Sequence, residues 1–183
     1  VYSSFDETDI RRKSLMVGQQ YNMATGAPLS CQKDGTPLNY TEEIEPYEKA
    51  PQAAGARLNK YAWKTDDIWE RDNDWVLMRY AEILLMRAEA NFRLGFDGNA
   101  LLLVNQLRGR AQVTPLAAVT EEDLDKEWLH EFVFEGLRRT VNIRFGTYFQ
   151  PWWNKDATPT YKGVFPIPQS VLDKNPNLKQ NPG

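Results

Sequence analysis

The stretch Trp75-Val76-Leu77-Met78-Arg79-Tyr80-Ala81-Glu82-Ile83-Leu84-Leu85-Met86-Arg87-Ala88-Glu89-Ala90-Asn91-Phe92-Arg93-Leu94-Gly95 decides the fold. Within it Trp75, Met78, Ala81, Leu85, Ala88 and Phe92 recur every three or four residues, the spacing that lines one face of an α-helix. Asp74 stands where an N-cap belongs, because its carboxylate can accept hydrogen bonds from first-turn N–H groups left without intrahelical partners. Gly95 supplies a residue that enters the left-handed region easily, as helix ends require. The spacing predicts a helix from about Trp75 to Leu94 with Trp75 in the core.

The pattern repeats after the turn Phe96-Asp97-Gly98-Asn99. Leu101, Val104, Leu107 and Ala111 form a second stripe, which Thr114-Pro115 stops. A short turn between two amphipathic helices makes an antiparallel hairpin. The small residues Ala88, Gly95 and Ala100 permit the close packing of a tetratricopeptide unit. One such unit cannot bury its own apolar faces, and arrays need about three or more. Partner helices from a longer protein are therefore expected, and the opening Val1-Tyr2-Ser3-Ser4-Phe5, with neither an initiator Met nor a secretion signal, fits that expectation.

On either side of the hairpin the punctuation changes. Thr120 and Asp123 resemble a capping box with Asp in place of Glu, opening a third amphipathic run through Leu124, Trp128, Phe132 and Glu135. That helix is predicted to pass through Gly136 to Phe145, with Gly146 as its stop and Gly136 marking a close approach of another backbone. Phe165-Pro166-Ile167-Pro168 must be extended, and Ser170 to Asp173 frame one helical turn. Residues 1–74, broken by Gly26, Pro28, Gly35, Pro37, Pro46, Pro51 and Gly55, read as irregular, with short strands at Ser14–Val17 and Leu58–Trp63. The fold class is thus mainly α: a tetratricopeptide-like hairpin plus a third long helix, with loop-rich segments and a few short strands. The organisation read is an irregular part, 1–74, and a helical part, 75–183, within a single domain.

The totals exclude several functions. Lys and Arg number 22 against 25 Asp and Glu, so the net charge of -3 gives no electrostatic reason to expect nucleic acid as a partner. The lone cysteine, Cys31, permits neither an internal disulfide nor a multi-cysteine zinc site, and no run approaches the roughly 20 apolar residues of a membrane-spanning helix.

Five blocks in register carry a family resemblance. Arg79 to Ala90 is similar to the signature of SusD/RagB proteins, and Leu107-Arg108-Gly109-Arg110-Ala111 follows it at the family's distance. Phe134-Glu135-Gly136-Leu137-Arg138, Phe165 to Gln169 and Asn175 to Gly183 resemble three further family blocks, in order and spacing. The resemblance is strong over about residues 66–183 and looser around Asp6 to Arg12 and Asn59-Lys60-Tyr61. It implies a mostly helical, lipid-anchored cell-surface protein that sits as a lid over a TonB-dependent outer-membrane transporter. Such a protein holds an oligosaccharide, or in some members a peptide, for import and is not an enzyme. The resemblance places the lipid anchor outside this chain, so Cys31 does not carry it.

Oligosaccharide binding needs flat aromatic faces flanked by amides, carboxylates or guanidinium groups. Tyr148, Phe149, Trp152 and Trp153 beside Gln150 and Asn154 form one such group, and Trp63, Trp69 and Trp75 among Asp66, Asp67, Arg71 and Asn73 a second. The ligand-binding candidates are Trp152, Trp153, Trp69 and Tyr148; burial of these rings against the domain is the alternative use. Glu131 and Glu135, spaced i, i+4, lie side by side and not across a cleft, so ion pairing, with Arg138 and Arg139 one turn on, explains them better than glycosidic catalysis. Asp66, Asp67, Asp72, Asn73 and Asp74 lack the spacing of a calcium loop and read as a solvated acidic loop. His130, the only histidine, is left as a satisfied or exposed helix residue, and Arg79, Arg87, Arg108 and Arg110 as braces between packed helices. No catalytic residue, metal or cofactor is assigned. A peptide-binding relative and a helical scaffold that binds only protein remain the alternative functions.

Overall fold

The computed structural model describes residues 1–61, 64 and 73–182. It divides into two compact units, Val1–Glu135 and Gly136–Gly183.

The first unit is built on the hairpin. Helix α1 spans Tyr80–Arg93 and α2 spans Asp97–Arg110, and the three-residue connection folds the second back along the first. Ala81, Leu84, Leu85 and Ala88 of α1 are buried, as are Ala100, Val104 and Leu107 of α2, with Ala88, Ala100 and Val104 wholly inaccessible. Alanines at the seam let the two backbones approach closely, while each buried Leu contributes about 1.5–3 kcal/mol by leaving water. Gly95, at φ +79, turns the chain between them as its position predicts.

The predicted first helix begins five residues too early. Arg79 is extended at φ -143 and ψ 160 and acts as N-cap without a capping side chain, so Asp74 is not the cap. Trp75 is 53% exposed and stacks on Tyr61 at 5.0 Å, with Phe134 edge-on at 6.3 Å, so it belongs to a surface cluster and not to the core. Met78 is exposed too. The stripe holds from Ala81 onward because tertiary burial begins there, and period alone does not tell a helical turn from the extended lead-in before it.

Helix α3 spans Glu121–Glu131 and starts on a complete capping box: Thr120 Oγ1 accepts from the Asp123 N–H at 3.1 Å, and the Asp123 carboxylate accepts from the Thr120 N–H at 3.0 Å. Its inner face, Leu124, Trp128 and the following Phe132, is buried. The Trp128 indole N–H donates to Glu89 of α1 at 3.0 Å, fixing the third helix on the hairpin. The run does not continue to Phe145. Phe134 at φ +65 and Gly136 at φ +80 are left-handed, a conformation that breaks the i to i-4 hydrogen-bond ladder. A Cβ added at Gly136 would meet nothing within 4 Å. The glycine therefore serves its backbone angle, not the close backbone approach expected from the sequence.

The N-terminal segment has little regular structure and meets α3 through its 3-10 turn Ile10–Ser14. Two antiparallel pairs hold it: β1 (Leu15–Met16) with β4 (Arg57–Leu58), Leu15 opposite Leu58, and β2 (Gly18–Gln19) with β3 (Asn39–Tyr40). The strand expected over Ser14–Val17 is β1, whereas the one expected over Leu58–Trp63 meets β4 only at Leu58 and residues 59–61 are not strand; Trp63 lies outside the described residues. Among the described helices none is long and apolar enough to cross a membrane.

The second unit opens with α4 (Arg138–Arg144), with a short α5 (Gln169–Leu172) where one helical turn was predicted. Between them the non-helical Phe165–Pro168 segment is held by the C-terminal tail. The Gln180 side-chain amide bonds the Ile167 backbone in both directions, at 2.8 and 2.9 Å, and Asn181 donates to the Phe165 carbonyl at 2.7 Å. Two of the motif blocks thus act as one structural lock.

Candidate functional site

In the first unit a network of buried carboxylates and their cations joins five parts of the chain. Asp9 caps the 3-10 turn Ile10–Ser14 and grips the Arg11 guanidinium with both carboxylate oxygens, at 2.9 and 2.8 Å. Arg11, its side chain only 9% exposed, also donates to Glu127 and, at 3.1 Å, to Glu131 of α3. Arg79, just ahead of α1, donates to Glu131 at 2.5 Å and forms a two-bond fork with Glu135 at 2.8 and 2.9 Å, its guanidinium lying 4.1 Å from the Phe132 ring. Arg110 from the end of α2 bonds Glu131 too, and Lys60 bonds Glu135.

The electrostatics follow from burial plus charge. Burial alone would raise the Glu131 carboxyl, but hydrogen bonds from Arg79 and the charges of Arg79 and Arg110 bring it down to about 2. Glu135 is also held below its ordinary value, by Arg79 and Lys60 against the burial effect. For Glu127 burial prevails and raises the carboxyl, against Arg11 and Arg108. A glycosidase acid must be raised, must face a cleft and must stand opposite a second carboxylate. Glu131 and Glu135 are depressed and filled with donors, so they are ion-pair anchors. Among the described residues their partners are Arg11, Lys60, Arg79 and Arg110, in place of the Arg138 and Arg139 that the helix spacing implied.

His130 is buried, stacks on Phe5 at 4.1 Å and meets Ser4 Oγ at 3.0 Å. The Ser4 hydroxyl donates to the Val1 carbonyl at 2.7 Å. Its hydrogen is therefore committed, and the histidine ring donates to it. Burial, reinforced by the nearby Arg11 charge, lowers His130 to about 4. The pair is a tether for the N-terminal turn and not a nucleophile with its base.

The rings expected at the ligand site lie in the second unit, apart from Trp69, which falls outside the described residues. Tyr148 and Phe149 sit in a 3-10 turn, Thr147–Phe149, and Trp152 and Trp153 on the tight turn closed by the Trp152–Lys155 bridge, with Asn154 at φ +54. Trp152 is 44% exposed and Trp153 57% exposed, so neither ring is core. Tyr148 meets Phe149 edge-on at 5.4 Å and Trp152 at 6.5 Å.

Sequence reasoning missed the cations. The Lys155 ammonium lies 4.5 Å from the Trp152 ring centre and 5.6 Å from that of Tyr148; the Arg139 guanidinium lies 5.2 Å from Tyr148 and 4.3 Å from Phe165. Phe165, Arg139, Tyr148, Lys155 and Trp152 thus form a ladder in which rings and cations alternate. Lys155 follows Trp152 by three residues across a turn, a local signal that could have been read; Arg139 reaches the ladder from α4, which no local pattern announces.

A mainly helical protein built on a tetratricopeptide-like hairpin, with a second unit that presents exposed aromatic rings, defines the class. The chain belongs to the SusD family, whose family model matches residues 1–183. It is 41% identical over 122 residues to the starch-binding protein SusD of Bacteroides thetaiotaomicron, covering 61% of this chain and 22% of that protein. It is 29% identical over 149 residues to a SusD-like protein of Formosa agariphila, covering 71% and 28%. Among solved structures, the surface glycan-binding protein A of Bacteroides uniformis superposes with a TM-score of 0.66 at 26% identity, covering 98% of this chain and 39% of that one. A SusD-like protein of Bacteroides fragilis superposes at 0.69 with 19% identity, over 96% and 39%, a likeness of fold. The chain spans between a fifth and two fifths of the length of these relatives.

Proposed function

We propose that this chain forms part of a cell-surface glycan-binding protein that captures oligosaccharide for import through a TonB-dependent outer-membrane transporter, without catalysing a reaction. The observation that carries the reading is the 41% identity to a starch-binding member of its family. The second unit supplies chemistry that suits it: Trp152 and Trp153 leave indole surface exposed for the apolar face of a sugar, next to Gln150, Asn154 and the ladder cations. Support for a non-catalytic role comes from Glu127, Glu131 and Glu135, buried acids already engaged by Arg and Lys. The lipid anchor and transporter contact belong to the same proposal and rest on family membership.

A second reading, a helical scaffold that packs only against protein, draws on the outer side of the hairpin. There Leu77, Tyr80, Ile83 and Met86 are exposed along α1 and just ahead of it. Titrating the intact protein with glycan and peptide panels separates the readings. Binding of any oligosaccharide, weakened about tenfold or more by Trp152→Ala with the fold intact, supports the first; uptake of peptides alone, or of neither, removes it.

A further inference from the structure

The glycan that this protein takes is, we infer, anionic: a sugar chain bearing carboxylate or sulfate groups, gripped by the ring-and-cation ladder of the second unit. The inference rests on the glycan-binding reading above and adds the ligand's charge.

Charge is divided very unevenly along the chain. Residues 136–183 hold seven Lys and Arg against two Asp, a surplus of five positive charges, whereas residues 1–135 hold fifteen against twenty-three. Within the second unit the carboxylates cannot neutralise the cations. Neither Arg139 nor Lys155 has a carboxylate partner among the described residues. Arg139 donates one bond, to the Lys162 carbonyl at 3.2 Å, and Lys155 donates to the carbonyls of Gln150 and Asp156, both at 3.0 Å. Most of the guanidinium's five donors and one ammonium hydrogen therefore stay available for a ligand.

Position strengthens the point. A platform for a neutral sugar needs only rings, whereas in this ladder a cation also lies over each of Phe165, Tyr148 and Trp152. Each cation is pinned by a backbone carbonyl and a ring, so little side-chain entropy is lost when an anion docks. Phe165 is 71% exposed at one end of the ladder, with the indoles of Trp152 and Trp153 at the other. A sugar ring that stacks on the Trp152 indole sets its substituents beside Lys155, whose ammonium lies 4.5 Å from that ring's centre. Charge-assisted bonds from that ammonium are roughly twice as strong as neutral ones.

The test is calorimetric titration of the intact protein with uronate oligosaccharides, the same backbones as methyl esters, sulfated oligosaccharides and a panel of neutral glycans. The expected result is at least tenfold tighter binding of a uronate or sulfated chain than of its uncharged counterpart at low salt. The gap should narrow as salt rises, and Lys155→Gln and Arg139→Gln should remove it while leaving the melting temperature unchanged; Lys155→Arg should preserve it. Which arm binds, carboxylate or sulfate, names the group. Equal affinity for acid and ester overturns the inference, as does binding of neutral glycans alone, and both outcomes leave the glycan-binding reading standing. Failure of every glycan overturns the two together. Competition by duplex DNA as effective as by unlabelled oligosaccharide also overturns it, since the ladder would then be a nonspecific polyanion surface.

Discussion

Arg11 in the first unit and Arg139 in the second are the same side chain used in opposite ways. Arg11 is sealed between Asp9, Glu127 and Glu131 and ties the N-terminal turn to the third helix. Arg139 lies between the rings of Tyr148 and Phe165, with a single backbone carbonyl accepting from it. Desolvating a charge costs several kcal/mol, and the first unit offsets that at Arg11 with three carboxylates. The second unit leaves the charge partly in water over a ring, where the attraction is worth about 0.5–1 kcal/mol. A cation of the first kind holds the fold together; a cation of the second kind is free to serve a ligand. Substitutions should separate the two roles cleanly.

The largest effect is expected at Glu131. Glu131→Gln keeps the shape but takes the negative charge from beneath Arg11, Arg79 and Arg110, leaving the enclosed Arg11 and Arg79 guanidinium groups short of a counter-ion. Removing one partner of a buried pair costs about 3–5 kcal/mol, so urea unfolding should shift by that amount with its slope unchanged. A change below about 1 kcal/mol would mean that the network is as dispensable as a surface pair, and the contrast between the units would fail.

Much of that network was written in the sequence as composition and little of it as geometry. The capping box at Thr120 and Asp123 was readable because both partners lie within one turn, and the hairpin because burial repeats at 3.6 residues. The pairing of Arg11 with Glu127 spans 116 residues, and no local pattern encodes such a distance. The same limit explains the ladder. Tyr148, Trp152 and Trp153 stood out as rings, whereas Arg139 gained its role from where α4 ends up. The start of the first helix was misread for a related reason: Trp75 keeps the period but stacks on Tyr61, a neighbour that periodicity does not see.

His130 gives the next effect, which depends on pH. Its folded value near 4 lies below the ordinary 6.5, so between those values the unfolded chain takes up a proton that the folded chain refuses. Stability is full above about pH 6.5 and falls as pH drops toward 4, by about 2 kcal/mol between pH 7 and pH 5. Asp9 opposes the shift while Arg11, Arg108 and Lys126 reinforce it, and the raised Glu127 gives back part of the loss near its own titration. Glu131, depressed to about 2 from 4.5, adds a separate loss only as pH falls below about 4.5. Chemical unfolding as a function of pH should thus show two acid phases, and His130→Gln should flatten the upper one alone. An unchanged upper phase would place the titration elsewhere.

Gly136→Ala follows, at the boundary of the two units. With φ at +80 and open space where a Cβ would go, the penalty is backbone strain alone, about 1–2 kcal/mol, and glycan affinity should not move. A neutral result would mean that the chain relaxes at this position and that α3 can lengthen, as its sequence pattern suggests.

The smallest effect on stability, and the sharpest on function, belongs to Lys155→Gln. Its ammonium touches two ring faces and two carbonyls at the protein surface, contacts that together add at most about 1 kcal/mol in water, and the glutamine amide can replace one of the carbonyl bonds. Unfolding should therefore shift by less than about 0.5 kcal/mol, a tenth or so of the Glu131 effect. Anionic ligand binding should weaken about tenfold, because the lost charge is the one held in place beside Trp152. If instead Lys155→Gln unfolds the second unit, the ladder is a fold element like the Arg11 network, and the division of labour between the two kinds of cation disappears.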